Sequence, residues 1–206
     1  IQNKTRNMLV LTIIILLSLF IRIWQVDTIP PSLSWDEVSI GYNAYSLLKT
    51  GRSEHGRLFP LDTFIAYGDY KPPVAIYLTT PFIGLLGLTE LAVRLPSVIS
   101  GTALVILTYL VVFELFRTYI KRRRLALLSA FLLAISPWSI QLSRAGFEAN
   151  IAVSFILFGV YLLLKSKTDV RLLPWVFLPF VVALYTFNSA RYFAPILAIA
   201  MLALNW

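Results

Sequence analysis

The sequence predicts an all-α integral membrane protein, a polytopic helix bundle with a long polar loop after its first span. Three observations carry that reading. Apolar residues make up 58% of the 206 and charged residues only 14%, and mean hydropathy is +0.78. That is more oil than a soluble domain of this size needs, so the bilayer is the solvent. The apolar residues fall in long runs separated by charged clusters, and the basic residues divide unevenly between the two sides those runs define. With no cysteine in the chain, neither a disulfide framework nor a thiolate metal site is available.

Met8 to Ile23 is the first apolar run, with Lys4 and Arg6 before it and Arg22 and Trp24 at its far end. Ile23-Trp24-Gln25-Val26-Asp27 offers no small-residue cleavage site, so 8–24 reads as a transmembrane helix with a cytoplasmic N-terminus and not as a signal peptide. A polar loop, 25–94, follows. Pro30-Pro31 stiffens the exit from the membrane, and Ser34 is placed to cap a helix over 35–50 that Gly51 ends. The stretch 52–70 is turn-rich and without periodicity.

The segment 73–88 is apolar, yet it holds Pro81, Gly84 and Gly87 and has only sixteen residues, where a full crossing needs about 20. The cluster Arg117 to Arg124 decides its role. It is the strongest positive cluster in the chain and belongs in the cytoplasm, and a crossing at 73–88 would deliver it outside. The reading is therefore an interfacial helix. The other spans fall at 95–116, 125–142, 151–165, 172–187 and 192–206, with Gln141 to Asn150 as an outer turn. The chain opens without Met and closes inside an apolar run, which predicts an N-terminal part of something longer.

A count of charges tests this map. Ten basic residues and two acids (Glu114, Asp169) lie inside, for +8, and eight of each lie outside, for zero. The whole net charge of +8 is then cytoplasmic, which fits the positive-inside rule and leaves no basic face for nucleic acid.

Three polar sets converge on the outer side: Trp35-Asp36-Glu37, Asp69-Tyr70-Lys71 with Arg94, and Ser143-Arg144 to Asn150 with Asn188 to Arg191. The Asp36-Glu37 pair also suits the first turn of a helix, and Lys71, Arg94 and Arg191 also suit helix ends that snorkel into headgroups. Two carboxylates and several cations beside an oily cleft match a reaction on a lipid phosphate. A carboxylate takes a proton from an incoming hydroxyl and cations stabilise the departing phosphate. Asp36 and Glu148 together form a candidate oxygen-ligand set for a divalent metal ion. His55, the only histidine, reads as a solvated loop residue.

The order of these motifs resembles a known family. A first helix, an outer loop opening with Asp36-Glu37, Gly68-Asp69-Tyr70-Lys71-Pro72-Pro73 and then Val93-Arg94-Leu95-Pro96-Ser97 is similar to the C-type (GT-C fold) membrane glycosyltransferases. The nearest group is that of protein O-mannosyltransferases and lipid A aminoarabinose transferases. The similarity continues through Ser136-Pro137-Trp138, Ser143 to Asn150 and Tyr185 to Arg191. It implies a GT-C fold with juxtamembrane helices in the first outer loop, and a polyprenyl-phosphate sugar as donor with inversion at the anomeric carbon. It makes Asp36 the general base, Glu37 its acidic companion, Lys71 a ligand of the carrier phosphate and Glu148 the second acidic position. Some relatives carry a metal-binding glutamate just before the lysine, where this chain has Tyr70.

The expected function is transfer of a sugar to an acceptor hydroxyl on a protein, glycolipid or polysaccharide at the outer face of a prokaryotic plasma membrane. Asp36 and Glu37 would be catalytic, and Lys71, Arg144, Arg191 and Tyr70 would bind the lipid phosphate. The alternative is a non-catalytic carrier of polyprenyl-phosphate lipid or an assembly subunit, which needs the cations but no base.

Overall fold

The computed structural model of the chain describes residues 2–205. Trp206, the expected end of the last span, and the Lys4 side chain lie outside the described part. Nine α-helices are described, α1 (Gln2–Ile23), α2 (Trp35–Thr50), α3 (Pro73–Leu86), α4 (Glu90–Leu115), α5 (Arg122–Ile135), α6 (Pro137–Arg144), α7 (Glu148–Ser166), α8 (Phe177–Leu184) and α9 (Ala190–Asn205). One small antiparallel hairpin, β1 (Phe64–Ala66) with β2 (Asp69–Lys71), sits between α2 and α3.

Length and composition sort the helices. Thr5–Ile23 within α1, all of α4 and all of α7 are long and apolar enough to cross a bilayer. At about 1.5 Å per residue the 26 residues of α4 extend about 39 Å, and the 19 of α7 about 28 Å, against about 30 Å of hydrocarbon. The expected span at 125–142 is broken instead: α5 and α6 meet at a 57° bend. Pro137 lacks the N–H that would continue the ladder, and Ser136 caps the new start by accepting from the Ser139 amide at 3.5 Å. α6 then runs to Arg144, so the tight turn is confined to 145–147. The segment 172–187 opens with a 3₁₀ turn, Val170–Trp175, around Pro174, and leaves only eight residues for α8. Pro73–Leu86, Val170–Leu184 and Ala190–Ala203 are shorter apolar helices than a crossing requires.

α4 is the axis of the bundle and packs against α1, α3, α5, α6 and α7. On one side Ala92 and Val93 of α4 and Ile151 of α7 join Ile40, Ala44 and Leu47 of α2 and Ile76 and Ile83 of α3 in one core, with Phe64 of β1. On the other, Val105 meets Ile14 of α1 and Ala130 and Ala134 of α5. These alanines are fully buried, and such small residues let helix backbones approach closely where lipid offers no hydrophobic drive. Gly101 serves the same end at the α4–α6 crossing, where a Cβ would overlap Ser143. Gly101→Ala is therefore expected to lower the thermal midpoint, by about 1–3 kcal/mol of overpacking, measured by thermal unfolding in detergent.

Three buried arginines tie together the end of the bundle that carries the loop after α1. Arg22 lies on Ser143 Oγ (3.1 Å), Ser139 Oγ (2.9 Å), Ser18 Oγ (2.8 Å) and the Ala134 carbonyl (3.1 Å). Arg94 donates to the carbonyls of Val26, Pro30 and Ser32, and Arg144 to those of Ile21, Gln25 and Ile29. The irregular backbone after α1 has no ladder of its own, so these two guanidiniums satisfy its carbonyls.

Candidate active site

Asp36 and Glu37 are consecutive in the first turn of α2, and successive helical residues point about 100° apart. They accordingly do different things. Ser34 and Glu37 form a capping box, the serine hydroxyl accepting from the Glu37 amide and Glu37 Oε2 accepting from the Ser34 amide at 2.8 Å. Glu37 Oε1 accepts from Arg94 Nε at 2.7 Å and from the Gly146 amide at 3.0 Å. Both oxygens are committed, and the side chain is only 2% exposed. Burial pushes the Glu37 carboxyl up, but the Arg94 hydrogen bond, followed by the Ser34 and Gly146 amides, outweighs it and holds the group below the usual glutamate range. This carboxylate is a fixed joint between α2, α4 and the turn before α7.

Asp36 faces the other way. Its side chain is 47% exposed, and Oδ1 lies 2.6 Å from Lys71 Nζ. The lysine arrives from the hairpin. Tyr67 and Gly68 both take positive φ (51° and 80°), the conformation a two-residue turn demands, and Tyr67 packs edge-on against Trp35 at 5.2 Å. Alternation along β2 then turns Tyr70 outward and Lys71 inward. Asn188 fixes this strand by donating to the Tyr70 carbonyl at 3.0 Å, and the Val74 amide donates to the Tyr185 carbonyl at 3.0 Å.

Lys71 ends among three carboxylates: Asp36 at 2.6 Å, Glu148 at 3.4 Å and Asp69 at 3.6 Å. Burial lowers its basicity, but the Asp36 hydrogen bond and the fields of Glu148, Asp36 and Asp69 prevail and raise it above the ordinary lysine value. Glu148 opens α7, where the helix dipole favours a negative charge. Its Oε1 faces Lys71, and its Oε2 is buried without a hydrogen-bond partner.

The expected site residues thus separate. Asp36, Lys71 and Glu148 come together. Glu37 adjoins them in sequence but is bound into the Arg94 joint. Arg144 is buried, its guanidinium donating to the Ile21, Gln25 and Ile29 carbonyls. Tyr70 is exposed and contributes its carbonyl to Asn188, and Arg191 is exposed against the Leu184 carbonyl at 3.4 Å. The metal expected at Asp36 and Glu148 does not fit the site, because the Lys71 ammonium already holds the cation position between them. Among the described residues no three His, Cys, Asp or Glu side chains cluster as metal ligands. Asp69, named in the second polar set but given no role there, joins the site; its i, i+2 spacing from Lys71 on a strand was the available signal.

No curated protein matches the chain. A family model does, that of dolichyl-phosphate-mannose-protein mannosyltransferase, over residues 12–184. The match runs from within α1 to the end of α8 and includes Asp36, Lys71 and Glu148. With its predominantly helical membrane architecture, the chain belongs to the dolichyl-phosphate-mannose-protein mannosyltransferase family, membrane glycosyltransferases of the GT-C fold.

Proposed function

We propose that the chain carries the catalytic outer loop of a glycosyltransferase that moves a hexose, mannose by its family, from a polyprenyl-phosphate donor to an acceptor hydroxyl on a protein. The observation that carries this reading is the Asp36 carboxylate. It is half exposed, is held by Lys71 at 2.6 Å, and has Lys71 as its only side-chain partner among the described residues. A carboxylate so placed is oriented yet open to an incoming group.

In the reaction the acceptor O–H gives its proton to Asp36 and its oxygen forms the new bond to the anomeric carbon. The bond from that carbon to the phosphate oxygen breaks, and the phosphate leaves with the electron pair, which inverts the centre. Lys71 does not present a bare ammonium to that phosphate, since three carboxylates already surround it. Its direct work is to fix Asp36, and its positive charge supports the phosphate when Asp69, the farthest and most exposed of the three, gives way. The concentration of basic residues at the opposite end of the bundle supports an extracytoplasmic site and a cytoplasmic N-terminus.

Parallel substitution separates an enzyme from a lipid carrier. In the full-length protein, Asp36→Asn is expected to retain a polyprenyl-phosphate sugar as well as wild type and to fail in transfer, whereas Lys71→Ala is expected to impair both. Loss of retention in Lys71→Ala with no transfer by the wild type would identify a carrier, and full transfer in Asp36→Asn would refute the base.

A further inference from the structure

The inner end of the bundle holds a second built site. A cavity of about 510 Å³ is lined by Arg6 of α1, Phe113 of the last turn of α4, Ile120 of the connecting loop, Lys121, and Arg122 to Arg124 of the first turn of α5. Five cations line it, with no carboxylate among the described lining residues. The nearest acid on α4, Glu114, is engaged elsewhere, by Lys165 at 3.1 Å and Arg117 at 3.6 Å. Two of the guanidiniums are ordered in advance. Arg122 lies over the Phe113 ring at 4.3 Å and donates to the Arg117 carbonyl at 3.1 Å, and Arg123 lies 5.9 Å from the same ring. Like charges held this close favour one kind of guest, a multiply bonding anion such as a phosphate.

The surroundings choose the source of that phosphate. Ile120, on the cavity rim, is 97% exposed, and Phe116 and Tyr119 beside it are also exposed. An apolar rim around a cationic floor, at the end of bilayer-spanning helices, fits an anionic glycerophospholipid: headgroup phosphate below, glycerol and acyl chains against the rim. We propose that this cavity binds the headgroup of an anionic phospholipid and fixes the inner end of α1, α4 and α5 to the membrane surface. About 28 Å of α4 separates it from the carboxylate site (from Arg94 beside Glu37 to Phe113 on the cavity, 19 residues at about 1.5 Å each), so it is a different site from the one that would hold the sugar donor.

Native mass spectrometry of the purified full chain, supplied with phosphatidylglycerol or phosphatidylcholine, tests this. Wild type is expected to retain phosphatidylglycerol preferentially, and Lys121→Gln/Arg122→Gln/Arg124→Gln to lose at least about tenfold of that retention, from about 1 kcal/mol per cation. The control Lys167→Gln/Arg171→Gln, which removes inner charge outside the cavity, is expected to retain the lipid as wild type does. Equal loss in the control would mean diffuse surface attraction and overturn the site, as would unchanged retention in the triple variant. Displacement by excess inorganic phosphate would overturn the lipid assignment in favour of a soluble anion. If the triple variant does not fold, Lys121→Gln/Arg124→Gln keeps both contacts to Phe113 and is expected to lose at least about threefold; wild-type retention there would equally refute the proposal.

Discussion

Glu37→Gln is expected to be the most damaging single substitution between α1 and α4, costing about 3–5 kcal/mol of stability, the range for removing one partner of a buried ion pair. The isosteric amide keeps the shape but presents an N–H₂ or a neutral oxygen to Arg94, which is fully buried and holds the Val26, Pro30 and Ser32 carbonyls besides. Those carbonyls soften the loss without replacing the charge, so the lower half of the range is expected. The pH dependence has a definite sign. Because the Glu37 carboxyl is held below its ordinary value, its contribution is fully present above the unfolded-state value of about 4.3 and disappears as pH falls through the folded one. Thermal unfolding from pH 7 down to pH 3 should show wild type losing this increment below about pH 4. Glu37→Gln should lack that component of the fall, and a midpoint equal to wild type at pH 7 would remove Glu37 from the joint.

Lys71→Ala is expected to reduce transfer by at least about 100-fold, the scale of losing a positioned acid–base partner, and to lower stability as well. Without the ammonium, Asp36, Asp69 and the largely buried Glu148 face one another with no cation between them. Repulsion and desolvation then act on Glu148 in particular, whose Oε1 loses Lys71 and whose Oε2 is already buried without a hydrogen-bond partner. The coupling gives a sharper test than the single variant. Lys71→Ala/Glu148→Gln should recover part of the lost thermal midpoint, because it removes the charge that Lys71 neutralised, and should recover none of the transfer. Additive midpoints would show that Lys71 and Glu148 do not interact energetically.

Much of the connection between α1 and α4 was legible because its signals are local. Ser34 three residues before Glu37, and Gly51 after the last apolar turn, mark the two ends of α2 without reference to anything distant. The hydropathy of α1, α4 and α7 likewise needs no tertiary context. What the sequence hid was decided by long-range partners. Whether Asp36 or Glu37 faces inward depends on Arg94, 57 positions away, and no local pattern distinguishes two neighbouring acids in a first turn. Arg144 reads as a phosphate ligand, and nothing local foretells its bonds to the Ile21 carbonyl in α1 and the Ile29 carbonyl in the loop beyond, because an irregular segment does not announce in sequence which donors it will need. The metal reading failed for a related reason. Asp36 and Glu148 do converge, but so does Lys71, brought between them by a three-residue strand too short to predict from alternation.

Asp36, oriented by Lys71, is the group proposed to take the acceptor proton. Single-turnover transfer by the purified full-length protein, loaded with saturating polyprenyl-phosphate sugar and acceptor, measures that step apart from binding. Asp36→Asn keeps a hydrogen-bond acceptor near Lys71 at a position 47% exposed, so its thermal midpoint should stay close to wild type while the transfer rate falls by about 10²–10⁴, the usual contribution of a general base. A folded, donor-loaded Asp36→Asn protein that transfers sugar at the wild-type rate would remove Asp36 from the base role.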